Sequence, residues 1–165
     1  MVLPLRKDGL PEEAQLQANR PTAERLARGP VAVFECFERI PCNPCYESCP
    51  TGAVLPFADI NDIPQVNYDL CTGCGNCVAA CPGLAIFVVD ETYAPNEALL
   101  KIPYEFSPLP DRDETVVALD REGKAVGQGR VIRVQKGKNK LATPLVWVVV
   151  PKELSQVVRN IARRA

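Results

Sequence analysis

Eight cysteines in a chain that has no histidine decide most of what this sequence can become. They fall into two sets, Cys36-x5-Cys42-x2-Cys45-x3-Cys49-Pro50 and Cys71-x2-Cys74-x2-Cys77-x3-Cys81-Pro82. Laying residues 42–54 over 74–86 superposes three cysteines, the proline and one alanine (Ala53 on Ala85), so the chain holds an internal repeat. Without an imidazole, any metal must be held by thiolate, with carboxylate as the minor option.

The second set is the C-x2-C-x2-C-x3-C-P run of bacterial dicluster sites, in which the fourth cysteine ligates the other cluster. Three close thiolates wrap one cube of iron and sulfide, the proline turns the chain away, and the fourth thiolate crosses to the neighbouring cube. Carried onto this chain, the pattern gives one 4Fe–4S cluster to Cys36, Cys42, Cys45 and Cys81, and a second to Cys71, Cys74, Cys77 and Cys49. Gly73 and Gly75 lie between ligands, where a missing side chain lets backbone N–H groups come close to sulfur. The first set departs from the pattern: five residues, Phe37-Glu-Arg-Ile-Pro41, separate Cys36 from Cys42. Cys36 is therefore the ligand the spacing supports least, and without it that site would hold three irons or take a non-cysteine ligand. Two four-cysteine zinc sites compete with this reading, although zinc ribbons usually set their C-x2-C pairs further apart. Disulfides compete only weakly in a compartment that keeps thiols reduced.

The remaining composition narrows the function. Nineteen basic and twenty acidic residues leave a net charge of −1, so no basic field exists to draw nucleic acid or anionic lipid. Residues 1–8 lack the apolar core of a secretory signal, and the longest strongly apolar run, 145–150, is far short of the roughly 20 residues of a membrane helix. The expected location is cytoplasmic, with no membrane span. No nucleophile–base pair is visible, so a catalytic site within this chain is not expected. Gly127-Gln-Gly129 lacks the third glycine of a nucleotide loop, and Asp111, Asp113 and Glu114 lack the rest of a calcium loop. The chemistry would be that of the clusters, positioned and tuned by the protein.

The expected fold class is α+β. Residues 1–30 form an arm, with Thr22 capping a helix at 23–28 that Gly29 ends; the arm is expected to wrap a neighbouring protein. Residues 31–92 form a ferredoxin-like dicluster domain with strands at 31–36 and 85–89 and short extended segments at 54–55 and 65–67. Tyr46 and Tyr68 are expected to pack over the clusters. Prolines 95, 103, 108 and 110 mark a boundary. Residues 93–165 then read as a small β-barrel or curled sheet with a C-terminal helix. Its strands fall at 98–104, 115–119, 125–135 and 144–150, with a turn at 136–140. Gly127 and Gly129 hint at a bulge. Strand 144–150 is apolar on both faces around Trp147, which suits a central strand or a partner's contact. The helix is expected over 151–164: Pro151 fits the first position, Leu154, Val157, Val158 and Ile161 fall on one face, and Arg159, Arg163 and Arg164 suit its C-terminus.

The cysteine region resembles bacterial dicluster 4Fe–4S ferredoxins. A longer run is similar to the ferredoxin-like subunits of multisubunit flavin-dependent amino-acid dehydrogenases of the proline and hydroxyproline type. The residues that carry it are 30–45, with Cys36, Cys42 and Cys45, the block Cys71-Thr-Gly-Cys-Gly-Asn-Cys77, and Cys81-Pro-Gly-Leu-Ala-Ile-Phe87. That resemblance implies a partner subunit that oxidises an amino acid at FAD, electron transfer through iron–sulfur centres, and a 2Fe–2S centre on another subunit. FAD is expected on the partner and not on this chain. A free-standing dicluster ferredoxin is the rival reading.

Overall fold

Runs of β-branched residues build one sheet that spans the chain. The computed structural model describes residues 7–137 and 142–163. Its strands are β1 (Val31–Phe34), β2 (Ile86–Asp90), β3 (Glu97–Pro103), β4 (Thr115–Leu119), β5 (Ala125–Gln135), β6 (Leu145–Pro151) and β7 (Asn160–Arg163). They lie in the order β1-β2-β3-β6-β5-β4-β7, and every neighbouring pair is antiparallel. Four short helices accompany them: α1 (Glu13–Asn19), α2 (Ala23–Leu26), α3 (Pro44–Glu47) and α4 (Asn76–Ala80). No helix among the described residues is long and apolar enough to cross a membrane.

Strand alternation sorts the buried side chains into two layers. Val31, Val33, Phe87, Val89, Leu100, Ile102, Val146, Val148 and Val150 face one core, where Val116, Ala118, Val131, Val158 and Ile161 from the far half of the sheet join them. Ala32, Phe34, Ile86, Val88 and Leu145 face the other way, onto Cys45, Val54, Cys77 and Val78. The cysteine-bearing loops therefore cover one face of β1, β2 and β6, while the opposite face fills the curl of the sheet. β6 lies between β3 and β5, which explains why both of its faces are apolar.

Three sequence expectations change. The sheet is curled but open, with β1 and β7 as its edges, and is not a closed barrel. The C-terminal helix does not form. Pro151 ends β6 in an extended conformation, a single 3-10 turn follows at Lys152–Leu154, and residues 160–163 pair with β4. Pairing satisfies the backbone groups of the β4 edge, and Val158 and Ile161 still reach the core, so tertiary context overrides a helical apolar spacing. Arg164 lies outside the described residues, as does most of the turn expected at 136–140. The arm folds back on its own chain: Leu26 enters the core, and Tyr68 Oη donates to the Asn19 carbonyl at 2.7 Å. Thr22 caps α2 as expected, its Oγ1 accepting from Arg25 N at 3.2 Å.

Glycines in β5 serve close approach. A Cβ on Gly129 would lie 2.6 Å from Val148 Cγ2 and 3.3 Å from the Val149 carbonyl oxygen. The bulge sits beside Gly127, where the register steps from Gly127 to Ala125 and leaves Val126 extra. Substituting Gly129→Val should destabilise the protein by about 1–3 kcal/mol through overpacking, read as a lower denaturant midpoint, whereas Gly123→Ala in the open β4–β5 turn should cost less.

Candidate metal centre

The eight cysteines, none of them in a disulfide, gather beneath the sheet. Two short helices do the gathering. Pro44 opens α3, which carries Cys45, and Gly75 opens α4, which carries Cys77, from a left-handed conformation at φ 91°. The loop between Cys71 and Cys77 is wedged between two walls. Gly73 has φ 63°, and a Cβ there would lie 2.6 Å from Pro30 Cβ. On the other side, a Cβ on Gly75 would meet Leu145 Cδ1 at 3.1 Å and Lys101 Cδ at 3.6 Å.

Arg25 fastens this loop from outside. Its buried guanidinium donates to the carbonyls of Tyr68 (2.7 Å), Gly29 (3.1 Å), Pro30 (3.0 Å) and Cys71 (2.6 Å). One side chain thereby joins α2, the start of β1 and the first cysteine of the second set.

The electrostatic neighbours of the thiols fall largely into two groups that cut across the sequence repeat, with Cys45 also acting on Cys77. Burial pushes the Cys36 thiol up, and neighbouring Cys81 and Cys42 push it further. Burial raises Cys45 to about 11, despite a hydrogen bond from the Tyr46 amide, with Cys81, Cys36 and Cys42 adding to the rise. Cys42 is raised by burial and by Cys81. Burial also raises Cys77 strongly, with Cys71, Cys74, Cys45 and Cys49 as its charged neighbours. Cys81 thus stands with the first set and Cys49 beside Cys77. A single pocket is lined by Cys49, Cys71, Cys74 and Cys77, with Thr51, Ala53, Gly73 and Gly75 among its other walls. Cys36, Cys42 and Cys81 line a separate, more open groove. The five-residue spacing after Cys36 does not carry it away from this group.

The donor set fits an iron–sulfur group. Backbone amides turn toward sulfur: Ala32 N lies 3.4 Å from Cys71 Sγ, and Ala85 N 3.4 Å from Cys81 Sγ. Burial would raise Cys49, but the amides of Val54, Thr51 and Ala53 and the Thr51 hydroxyl outweigh it and hold the thiol below its ordinary value. Such donors stabilise anionic sulfur. A lone zinc ion needs its sulfurs about 2.3 Å from one point. Among the described residues no three Cys, Asp or Glu side chains converge as a single-ion site does.

Sequence reasoning missed the residues around this centre. Glu35, beside Cys36, accepts from Arg121 Nε at 2.8 Å and Arg159 Nε at 2.7 Å. Burial alone would raise its carboxyl, but the hydrogen bond and charge of Arg121 and the charge of Arg159 hold it below the usual range. Arg159 is itself lowered by burial to about 10, opposed by Glu35, and lies 5.0 Å over the Phe87 ring. Lys101 was also missed, although one lysine inside Ala98-Leu-Leu-Lys-Ile102 is a visible anomaly. Arg25 left no signal. Tyr68 packs beside Cys71, where burial raises its hydroxyl to about 12, and Tyr46 meets Phe57 edge-on at 6.3 Å.

Residues 64–87 match the family model of the 4Fe–4S binding domain, so this segment is similar to 4Fe–4S sites of the ferredoxin type. The ferredoxin-type protein NapF of Haemophilus influenzae is 41% identical over 54 residues, 32% of this chain and 31% of that protein. The B subunit of the polysulfide reductase of Wolinella succinogenes is 44% identical over 55 residues, 33% of this chain and 28% of that protein. The thiosulfate reductase electron transfer subunit PhsB of Salmonella typhi is 47% identical over 51 residues, 28% of this chain and 26% of that protein. This chain spans about a third or less of the length of these relatives. No solved structure matches it.

Because Gly73 combines a left-handed φ with contact to Pro30, Gly73→Ala should prevent the second loop from seating. Iron and acid-labile sulfide should fall to about half or less of the unaltered protein's; full loading would show that the loop yields.

Proposed function

We propose that this chain is an iron–sulfur electron-transfer subunit of an oxidoreductase complex and carries two 4Fe–4S clusters. Cys36, Cys42, Cys45 and Cys81 hold one; Cys49, Cys71, Cys74 and Cys77 hold the other. The observation that supports the reading is the placing of the fourth cysteines, with Cys81 among the neighbours of Cys36, Cys42 and Cys45, and Cys49 lining one pocket with Cys71, Cys74 and Cys77. Each cluster supplies one-electron redox chemistry when bound. The chain supplies thiolate ligands, amide donors toward sulfur and an apolar sheet face that limits water. Eight cysteines assigned to clusters suit a compartment that keeps thiols reduced, and the cytoplasm is the proposed location.

The partner is the finer part of the proposal. The sequence resemblance favours an FAD-bearing amino-acid dehydrogenase subunit as donor, with a 2Fe–2S subunit in the same complex. Two relatives bear the names of reductase subunits, which favours a reductase partner as the second reading. In both, residues 31–92 bear the clusters and strands β3 to β7 extend the sheet, while Arg25 of the arm braces the second cysteine loop.

Anaerobic purification of the tagged protein from its host separates these readings. The expected result is brown protein with about eight irons and eight sulfides per chain, eluting in fixed ratio with a flavoprotein that retains FAD. A reductase subunit in its place would move the protein to the second reading. Elution alone, brown and reducible, would make it a free ferredoxin, and zinc without sulfide would end the iron–sulfur assignment.

A further inference from the structure

Lys101 stands on the cysteine face of the sheet, in the row that pairs Val88, Lys101, Trp147 and Arg133 across β2, β3, β6 and β5. It is 8% exposed. Its Nζ donates to the Gly73 carbonyl at 2.7 Å, inside the loop between Cys71 and Cys74. The same ammonium lies 4.2 Å from the centre of the Trp147 ring, and the Arg133 guanidinium lies 4.9 Å from that centre. No carboxylate among the described residues pairs with Lys101 within ion-pair distance; Asp90 acts on it only from further off. Near the other thiol group the cations do have a carboxylate partner, because Arg121 and Arg159 share Glu35, although these three side chains together keep a net positive charge.

A buried ammonium loses hydration that one carbonyl and one ring face replace only in part. A neutral donor could satisfy Gly73, and methionine could fill the space. The positive charge is therefore the property that the loop's hydrogen bonding leaves unexplained. Burial lowers the lysine, and the thiols that oppose this are Cys74 and Cys71, both of the second group.

We propose that Lys101 is a tuning charge that raises the reduction potential of the cluster held by Cys49, Cys71, Cys74 and Cys77, and leaves the other cluster nearly unaffected. One-electron reduction adds one negative charge to that site, taken from the donor subunit, and a fixed cation beside it favours the reduced form over the oxidised form. The charge thereby shifts the balance between the two clusters, moving an electron that enters the pair further toward the Lys101 side than it would otherwise lie.

This inference rests on the two-cluster reading above, and the test separates the two. Both clusters would be titrated anaerobically by EPR in the unaltered protein, in Lys101→Met and in Lys101→Gln. At a fixed ambient potential, Lys101→Met should lower the ratio of reduced to oxidised form about tenfold at one cluster, which is 59 mV for one electron. The other cluster should move less than about twofold on the same scale. Lys101→Gln, which keeps a donor without the charge, should match Lys101→Met. Equal shifts at both clusters, no shift, or a wild-type potential in Lys101→Gln would overturn the proposal. If neither variant loads, the unaltered protein decides through NMR of lysine labelled at Cε. One lysine signal that moves on reduction of a single cluster supports the proposal, and no responsive lysine overturns it. Zinc without labile sulfide would fail the two-cluster reading before any potential is read.

Discussion

Four thiols held around one partly buried space oppose one another, and most of the chain's architecture answers that opposition. Burial favours neutral sulfur, and each added thiolate makes the next harder to form, which is why Cys36, Cys42, Cys45 and Cys77 are all pushed up. A cationic iron–sulfur core binds the deprotonated form and reverses that balance. Loading therefore releases protons and adds folding energy in one event. Cys49 is the exception, because the 51–54 turn already presents amides to it.

The sheet provides the stiffness that the loops lack. α3 and α4 are four and five residues long, too short to persist without support. They rest on Phe34, Ile86, Val88 and Leu145, and Thr143 N bonds the Ala79 carbonyl at 3.1 Å, tying α4 to the entry of β6. The Glu35–Arg121–Arg159 group spans a longer gap. It links the residue before Cys36 to the β4–β5 turn and to the segment just before β7, with Arg121 also donating to the Gln156 carbonyl at 2.9 Å. Its charges are buried together, so removal of one leaves the others uncompensated. The far half of the sheet thus braces the first cysteine group rather than forming a separate barrel.

Much of this was legible in the sequence where local chemistry decides. The cysteine spacing suggests a grouping of thiols because ligand loops are short and their reach is fixed. Strands β4 and β5 fell where β-branched alternation put them. The 151–164 segment was misread because Val157, Val158 and Ile161 satisfy a helical spacing and a buried turn-and-strand equally well, and the open edge of β4 decided between them. The supporting charges were hidden for a different reason. Arg25 meets acceptors 43 and 46 residues away, and Arg159 meets Glu35 across 124 residues, separations that no local pattern records.

The proposed exchange of fourth cysteines also bears on inheritance. An internal repeat ordinarily leaves two interchangeable copies, either of which can be lost, shuffled or transplanted as a module. Under the proposed assignment Cys49 and Cys81 stand in each other's site, and neither copy is complete in isolation. Deletion of one half removes a sulfur from the other, and a crossover between the halves must preserve both exchanges at once. A duplication that made this site modular in sequence would, on that assignment, leave it indivisible in use, so lineages carrying it are expected to keep or discard the pair together.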